Sequence, residues 1–197
     1  MDESEEFIAL KSRIARCEIC ADLPLGPKPL FQLHEKARIL LAGQAPGRVT
    51  HMRGRPFDDA SGDRLRAWMG VDRDTFYDNP KIAIFPMGLC FPGVGKGGDA
   101  PPRAICAQTW RATVIAALSR IDLTLVLGRY AIAWHLPDQK SKNIADILDR
   151  ATPETDDTLV LPHPSPRNNR WLRQHPTFEA DIVPVIQRRI AALLAAD

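Results

Sequence analysis

The chain has 197 residues, of which 45% are hydrophobic and 25% are charged, with a formal net charge of +2. These values are ordinary for one soluble globular domain with a full hydrophobic core, expected over residues 1–197. No apolar run is long enough to span a membrane, and the first residues, MDESEEF, are acidic, unlike a secretory signal peptide. We therefore expect a cytoplasmic protein without a membrane partner, and, since no oligomeric interface is evident, a monomer.

Apolar strand-like runs alternate with amphipathic helical segments along the chain. Periodicity predicts helices over residues 3–16, 60–70, 104–118, 129–135, 143–150 and 178–195. Short apolar runs predict strands at 39–42, within 81–89, at 123–127 and at 158–161. Ser61 is the expected N-cap of the second helix, and Phe76 and Tyr77 are expected in a loop. This alternation predicts an α/β fold, a three-layer α/β/α sandwich around a mostly parallel four-stranded sheet.

The first predicted strand runs directly into the sequence Gly43-Gln44-Ala45-Pro46-Gly47. Glycine and proline there predict a tight loop whose backbone can approach a ligand, and the carboxyl ends of parallel strands are where such sheets bind ligands. A polar loop follows and ends in Phe57-Asp58-Asp59. An aromatic ring beside two carboxylates suits a pocket that stacks a flat ring. The alternative is a strand–turn–helix with Phe57 in the core and the carboxylates capping the helix.

Two further loops stand out. Residues 91–103 form a long glycine- and proline-rich loop, and loops of this length within a domain are usually functional. Its GVGKGG sequence lacks the P-loop pattern, which argues against an NTPase. Lys96 could meet a phosphate or simply be solvated. Residues 158–178 contain no acid but several arginines and histidines, which indicates either a nucleic-acid contact or a solvated basic loop.

The four cysteines are Cys17, Cys20, Cys90 and Cys106. The first two form a C-x-x-C motif, which presents two sulfurs from one turn and is a common half of a metal site. In a cytosolic chain, four such thiols indicate metal or redox chemistry before disulfides. They suit a tetrahedral zinc ion or a [4Fe–4S] cluster. The alternative is four unpaired, buried thiols.

These motifs together resemble the uracil-DNA glycosylase superfamily, most closely its iron–sulfur family 4. The family's first motif reads G-E-A-P-G and then P-F-V-G-x-A-G-x-L-L, and this chain has GQAPG and then PFDDASGDRL, residues 56–65. A second motif contains H-P-S-P, which matches residues 163–166. The cysteine spacing is also similar to family 4, which implies a [4Fe–4S] cluster rather than zinc.

The chain departs from the family pattern at several positions. Gln44 replaces the family's glutamate and cannot act as a base. An acidic pair within the first loop falls on Thr50 and His51, so His51 is either an alternative catalytic residue or a surface residue. The family's N-x-x-K-C, whose asparagine reads the edge of uracil, is Pro-Met-Gly-Leu-Cys at residues 86–90. Asp58-Asp59 replaces an apolar–glycine pair.

The resemblance implies a DNA glycosylase that flips a uracil, or another deaminated base, out of DNA and hydrolyses its N-glycosidic bond. Phe57 would stack on the base, and His163 would donate a hydrogen bond to the departing base. The alternative is a non-catalytic protein that binds DNA or a nucleobase. The expected site residues are Gln44, Asp58, Asp59 and His163 for catalysis, Ala45, Pro46, Gly47 and Phe57 for the base, Ser165, Arg167 and Asn168 for DNA, and Cys17, Cys20, Cys90 and Cys106 for the cluster.

Overall fold

A computed structural model describes residues 3–196. The expected single domain over 1–197 stays a prediction, and residues 1, 2 and 197 lie outside the described part. The helices are α1 Glu5–Ala15, α2 Arg48–Arg53, α3 Ala60–Met69, α4 Arg73–Asp78, α5 Ala104–Ala117, α6 Arg129–His135, α7 Ile144–Leu148, α8 Asn169–Gln174 and α9 Val183–Ala195. The strands are β1 Ile39–Ala42, β2 Ile82–Ile84, β3 Val94–Gly95, β4 Gly98–Asp99, β5 Leu123–Leu127 and β6 Thr158–Leu161.

Four strands form one parallel sheet in the order β2-β1-β5-β6. All residues of β1, β2 and β5 are buried, which explains why these strands read as continuous apolar runs. The two central strands, β1 and β5, pair from Ile39 with Leu123 to Ala42 with Val126. Their carboxyl ends therefore lie side by side at one edge of the sheet.

Alternate residues of β1 enter two different cores. Ile39 and Leu41 pack into a cluster with residues of α3 and α9, whereas Leu40 packs into a cluster with residues of α1 and α5. The sheet is thus covered by helices on both faces, because successive strand side chains point to opposite sides. The predicted α/β/α sandwich with a parallel four-stranded sheet is confirmed. Among residues 3–196, no helix is both long enough and apolar enough to cross a membrane.

Several local predictions were wrong. Asp59, and not Ser61, is the N-cap of α3, since its carboxylate accepts a hydrogen bond from the backbone N–H of Gly62. Phe76 and Tyr77 lie in the short helix α4 rather than in a loop. The polar stretch after Gly47 forms α2. The glycine-rich loop folds into a small antiparallel ribbon of β3 and β4, which we call the glycine hairpin (residues 94–99).

Candidate active site

One large cleft opens at the carboxyl edge of the parallel sheet, with a volume of about 890 Å³. The loop after β1, which we call the GQAPG loop (Gly43–Gly47), lines it together with the loop after β6, the HPSP loop (His163–Asn168). Phe57 and the glycine hairpin complete its walls. Two distant sequence motifs and the predicted stacking ring therefore face one space, large enough for a nucleotide.

The GQAPG loop is fixed by its backbone. The N–H groups of Met87 and Gly88 donate to the carbonyl oxygens of Gly43 (2.9 Å) and Gln44 (2.8 Å), which ties the loop to the segment after β2. The Gln44 side chain lies against Gly128, where a Cβ atom would be 2.6 Å from its Nε2 atom. No hydrogen bond between residues 3–196 engages the Gln44 side-chain amide. That amide is thus available to a ligand in the cleft.

Phe57 is held in an unusual conformation. Its φ of 54° makes it the sole non-glycine residue with a positive φ within the described part of the chain. The carbonyl oxygen of Phe57 accepts a hydrogen bond from Nη1 of Arg66 (3.3 Å), and its ring packs edge-to-face on Phe76, with centroids 6.5 Å apart. Non-glycine residues in this region are strained, and such strain concentrates at functional sites. The neighbouring packing places the ring in the cleft wall beside Gly43.

His163 is a neutral hydrogen-bond donor in this arrangement. Its Nδ1 atom accepts a hydrogen bond from the backbone N–H of Ser165 (3.2 Å). In the neutral ring the proton then resides on Nε2. Burial lowers the pKa of His163, and the carboxylates of Asp59 and Asp99 oppose that shift only in part. The ring therefore offers an Nε2–H donor at neutral pH without carrying a charge.

Arg64 of α3 holds the HPSP loop in place. Its Nη1 atom donates to the carbonyl oxygens of Pro164 and Ser165, both at 3.2 Å. Its Nη2 atom donates to Oδ1 of Asn169 at 2.7 Å. The HPSP loop is therefore anchored to α3, the helix that Asp59 caps. The hydrogen bonds of Arg64 thus join the two sides of the cleft.

The expected DNA-binding residues Ser165, Arg167 and Asn168 all line the cleft. Asn168 donates from Nδ2 to the carbonyl oxygen of His163 (3.1 Å) and so fixes the backbone at that histidine. Arg167 is exposed and reaches across the cleft, where its Nη1 atom donates to the carbonyl oxygen of Gly97 (3.4 Å). Arg167 thus bridges the HPSP loop and the glycine hairpin.

The two adjacent carboxylates that the sequence analysis paired have different surroundings. Asp59 lines the cleft while it caps α3. Asp58 does not line the cleft, and its Oδ1 atom lies 3.0 Å from Nη1 of Arg73 and 3.3 Å from Nη1 of Arg53. The hydrogen bond from Arg73, with the added charge of Arg53, lowers the pKa of Asp58. Its carboxylate organises the loop, and the catalytic place expected for it has no support in the geometry.

Two acidic residues of the cleft, Asp63 and Asp99, were missed by the sequence analysis. Asp99, at the end of the glycine hairpin, lines the cleft, and its Oδ2 atom lies 3.1 Å from the point that a Cβ atom on Gly47 would occupy. The sequence signal was the long glycine loop itself, for which the sequence analysis considered only Lys96, and Lys96 also lines the cleft. His51 lies elsewhere: it is buried in α2 near Phe91 and does not line the cleft.

The four cysteines line a second, smaller pocket, which we call the cysteine pocket and which shares no lining residue with the cleft. None of them forms a disulfide. Three sulfurs accept hydrogen bonds, from Nε1 of Trp110 to Cys17 (3.4 Å), from the N–H of Lys28 to Cys90 (3.3 Å), and from the N–H of Leu89 to Cys106 (3.4 Å).

Burial raises the thiol pKa of Cys20, Cys90 and Cys106, the last to about 11, so these sulfurs are protonated thiols unless a cation holds them as thiolates. Within residues 3–196, no three metal-ligating side chains are grouped closely enough to hold a single metal ion.

Comparisons with known proteins agree with these observations. The family model of the uracil DNA glycosylase superfamily matches residues 31–187. A solution NMR structure from Methanosarcina acetivorans, of a "putative Uracil DNA glycosylase", is 16% identical in sequence, and the alignment covers 79% of this chain and 92% of that one. Its TM-score is 0.47, so it adds nothing to the argument from the family match.

Proposed function

Because the chain belongs to the uracil DNA glycosylase superfamily, we propose that it is a DNA repair glycosylase, which hydrolyses the N-glycosidic bond of uracil or another deaminated base after flipping the nucleotide out of DNA. One observation carries this proposal: the GQAPG loop, Phe57 and the HPSP loop line a single cleft of about 890 Å³. That volume accommodates a flipped nucleotide with a base stacked on one wall.

Phe57 provides the stacking surface for the flipped base. Stacking of a base on an aromatic ring contributes about 1–3 kcal/mol and tolerates different bases. The unpaired amide of Gln44, with one donor and one acceptor function, is the polar group available to meet the base edge or a water molecule. The backbone of Ala45, Pro46 and Gly47 lines the sugar side of the cleft.

His163 stabilises the leaving group. When the bond to the deoxyribose breaks, the base departs with the bonding electron pair and the sugar acquires positive charge. The Nε2–H of the neutral His163 ring donates a hydrogen bond to the developing oxyanion of the base. Asp59, whose carboxylate lies in the same cleft, favours the positive sugar electrostatically.

Contact with the DNA strand falls to the HPSP loop at the mouth of the cleft. Ser165 and Asn168 present polar side chains there, and Arg167 is exposed at the rim. The hydrogen bond of Arg167 to the carbonyl oxygen of Gly97 is long, at 3.4 Å, so exchange for a charge-assisted bond to a phosphate is favourable. This contact positions the strand and carries no base specificity.

We expect the four thiols of the cysteine pocket to hold a [4Fe–4S] cluster, as the family resemblance implies, with a zinc ion as the alternative. Four thiolates are the ligand set of such a cluster, and N–H donors to the sulfurs are typical of these sites. The cluster would join the end of α1 to residues after β2 and at the start of α5, which is a structural role.

The activity is tested with a single-stranded oligonucleotide that contains one uracil, followed by alkaline cleavage of abasic sites. Strand breaks that appear with the wild-type protein and with the control His34→Ala, outside the cleft, but not with His163→Ala, support the glycosylase. The same assay on hypoxanthine and xanthine identifies the base.

A non-catalytic binder is favoured by one observation, that Gln44 stands where the family has a glutamate. Failure to release any of the three bases, with DNA binding retained, would establish that alternative.

A further inference from the structure

We propose that Asp99 of the glycine hairpin activates the attacking water molecule and so takes the place that Gln44 cannot fill. This inference rests on the glycosylase function proposed above and names the residue that completes its chemistry. Hydrolysis needs a group that accepts a proton from water near the sugar, and an amide does not accept one at neutral pH.

The position of Asp99 is the first support. Its Oδ2 atom lies beside Gly47, 3.1 Å from the point that a Cβ atom there would occupy. Gly47 ends the GQAPG loop and precedes α2, so the carboxylate stands at the sugar side of the cleft. A side chain at position 47 would occupy this space, and the glycine keeps it open.

The second support is that the Asp99 carboxylate has no partner. Within residues 3–196, it takes part in no ion pair and accepts no hydrogen bond, whereas Asp59 accepts from the N–H of Gly62 and Asp58 is held by two arginines. Asp99 is exposed in the open cleft. A nucleotide flipped into the cleft would cover it and leave a bound water as its hydrogen-bond partner.

The hairpin holds this carboxylate in a defined place. The N–H of Ala100 donates to the carbonyl oxygen of Gly93 (2.8 Å), which closes the base of the hairpin. In the protein without DNA, Arg167 also contacts the tip through the carbonyl oxygen of Gly97. The charge of Asp99 is also felt at His163, whose pKa it raises. His163, the proposed hydrogen-bond donor to the base, and Asp99, the proposed acceptor of the proton from water, therefore interact electrostatically.

The reaction step balances as follows. The oxygen of the water forms a bond to C1′ of the deoxyribose, the N-glycosidic bond breaks, and its electron pair leaves on the base. The carboxylate of Asp99 takes the proton that the water loses. The base anion, held by His163, takes a proton from solvent, and Asp99 releases to solvent the proton that it took from the water. The products are the free base and an abasic site.

The test compares Asp99→Asn with the control Asp181→Asn, which makes the same change at an exposed position that does not line the cleft. Single-turnover release of uracil should fall about 10²–10⁴-fold in Asp99→Asn, the range for loss of a general base. Its thermal midpoint and its affinity for DNA with an abasic-site analogue should match those of the wild type. Asp181→Asn should behave as wild type in all three measurements.

Restoring a carboxylate at position 44 separates water activation from other roles. The double variant Asp99→Asn/Gln44→Glu places the acid where the family has it, and recovery of release supports the assignment. Three results overturn it: wild-type rates in Asp99→Asn, a loss of activity explained by a lower thermal midpoint, and a folded double variant without recovery. If the wild type itself releases no base, the glycosylase function fails instead.

Discussion

The carbonyl oxygen of Phe57 occupies the space that a side chain at position 62 would need, since a Cβ atom on Gly62 would lie 1.7 Å from it. Phe57 has a positive φ of 54°, and its neighbour Asp59 caps the helix that contains Gly62. The glycine therefore lets the chain fold tightly enough to hold the ring in the cleft wall. The absence of a side chain at position 62 thus allows Phe57 to keep its strained backbone conformation.

Gly62→Ala should displace Phe57 and lower the free energy of unfolding by about 1–3 kcal/mol, the usual cost of an added methyl group without room. We expect base release to fall further than this loss of stability explains, because the stacking ring moves. Chemical denaturation and single-turnover release measure the two effects. Gly95→Ala is the control for stability, since its added Cβ atom meets only ordinary contacts from 3.4 Å. An unchanged denaturation midpoint in Gly62→Ala would contradict the packing argument.

The main elements could be predicted because their sequence pattern matches their burial. Strand β1 is a continuous apolar run since both of its faces are covered, and this pattern is visible in the sequence. The conformation of Phe57 could not be predicted, since it depends on contacts with Gly62 and Arg66. The different fates of Asp58 and Asp59 depend equally on which arginines the fold brings near, and no sequence spacing shows that.

His163 should titrate below its ordinary pKa of 6.5, because burial disfavours the charged ring. Its contribution to base release should therefore be constant from about pH 8 to pH 7. At lower pH a proton on Nδ1 leaves the Nε2–H donor in place but ends the hydrogen bond accepted from the N–H of Ser165, which orients the ring, so base release should change there. The measurement is an NMR titration of the ring protons, assigned by comparison with His163→Gln. A midpoint at or above pH 6.5 would show that the ring is charged more easily than the structure implies.

The cysteine pocket should bind iron and sulfide. Protein purified without oxygen should contain about four iron and four sulfide per chain and show the broad visible absorbance of a cubane cluster. Cys106→Ser, which changes the most deeply placed thiol, should lose most of this absorbance and be less stable to heat. Elemental analysis that finds about one zinc per chain would overturn the cluster, and a metal-free, colourless and stable protein would leave the thiols as packing.

The position of Asp99 in the cleft could not be predicted from the sequence. The glycine hairpin was marked as a functional loop, yet nothing in its sequence indicates that its last residue meets Gly47, 52 positions earlier. Glycines at 97 and 98 adopt positive φ values of 83° and 158°, so the path of the hairpin is set by backbone freedom rather than by a pattern. The same holds for Arg167, whose partner Gly97 lies in a different loop.

Acid should destabilise the protein through a contact, outside the cleft, between a buried arginine and a half-buried histidine. Arg111 is fully buried, donates to the carbonyl oxygen of Phe85 (2.9 Å), and contacts Nε2 of His135 from Nε (3.2 Å) and Nη2 (2.5 Å). Burial, and then the charge of Arg111, lower the pKa of His135 to about 4. The unfolded chain binds a proton at pH 6.5 and below while the folded chain does not, so stability falls as the pH drops from about 6.5 towards 4.

The lowered pKa of His135 corresponds to a loss of about 3 kcal/mol in the free energy of unfolding. His135→Gln keeps an acceptor for Arg111 but cannot titrate, so its unfolding free energy should depend less on pH in that window. Urea denaturation at pH 7, 5.5 and 4.5 compares it with the wild type and with the control His34→Gln, which is outside the pair. An equal dependence of the unfolding free energy on pH in the wild type and in His135→Gln would mean that His135 does not govern acid sensitivity. A smaller dependence of the unfolding free energy on pH in His135→Gln would assign the acid sensitivity to the Arg111–His135 contact. Nε2 of His135 must stay unprotonated to accept a hydrogen bond from Arg111.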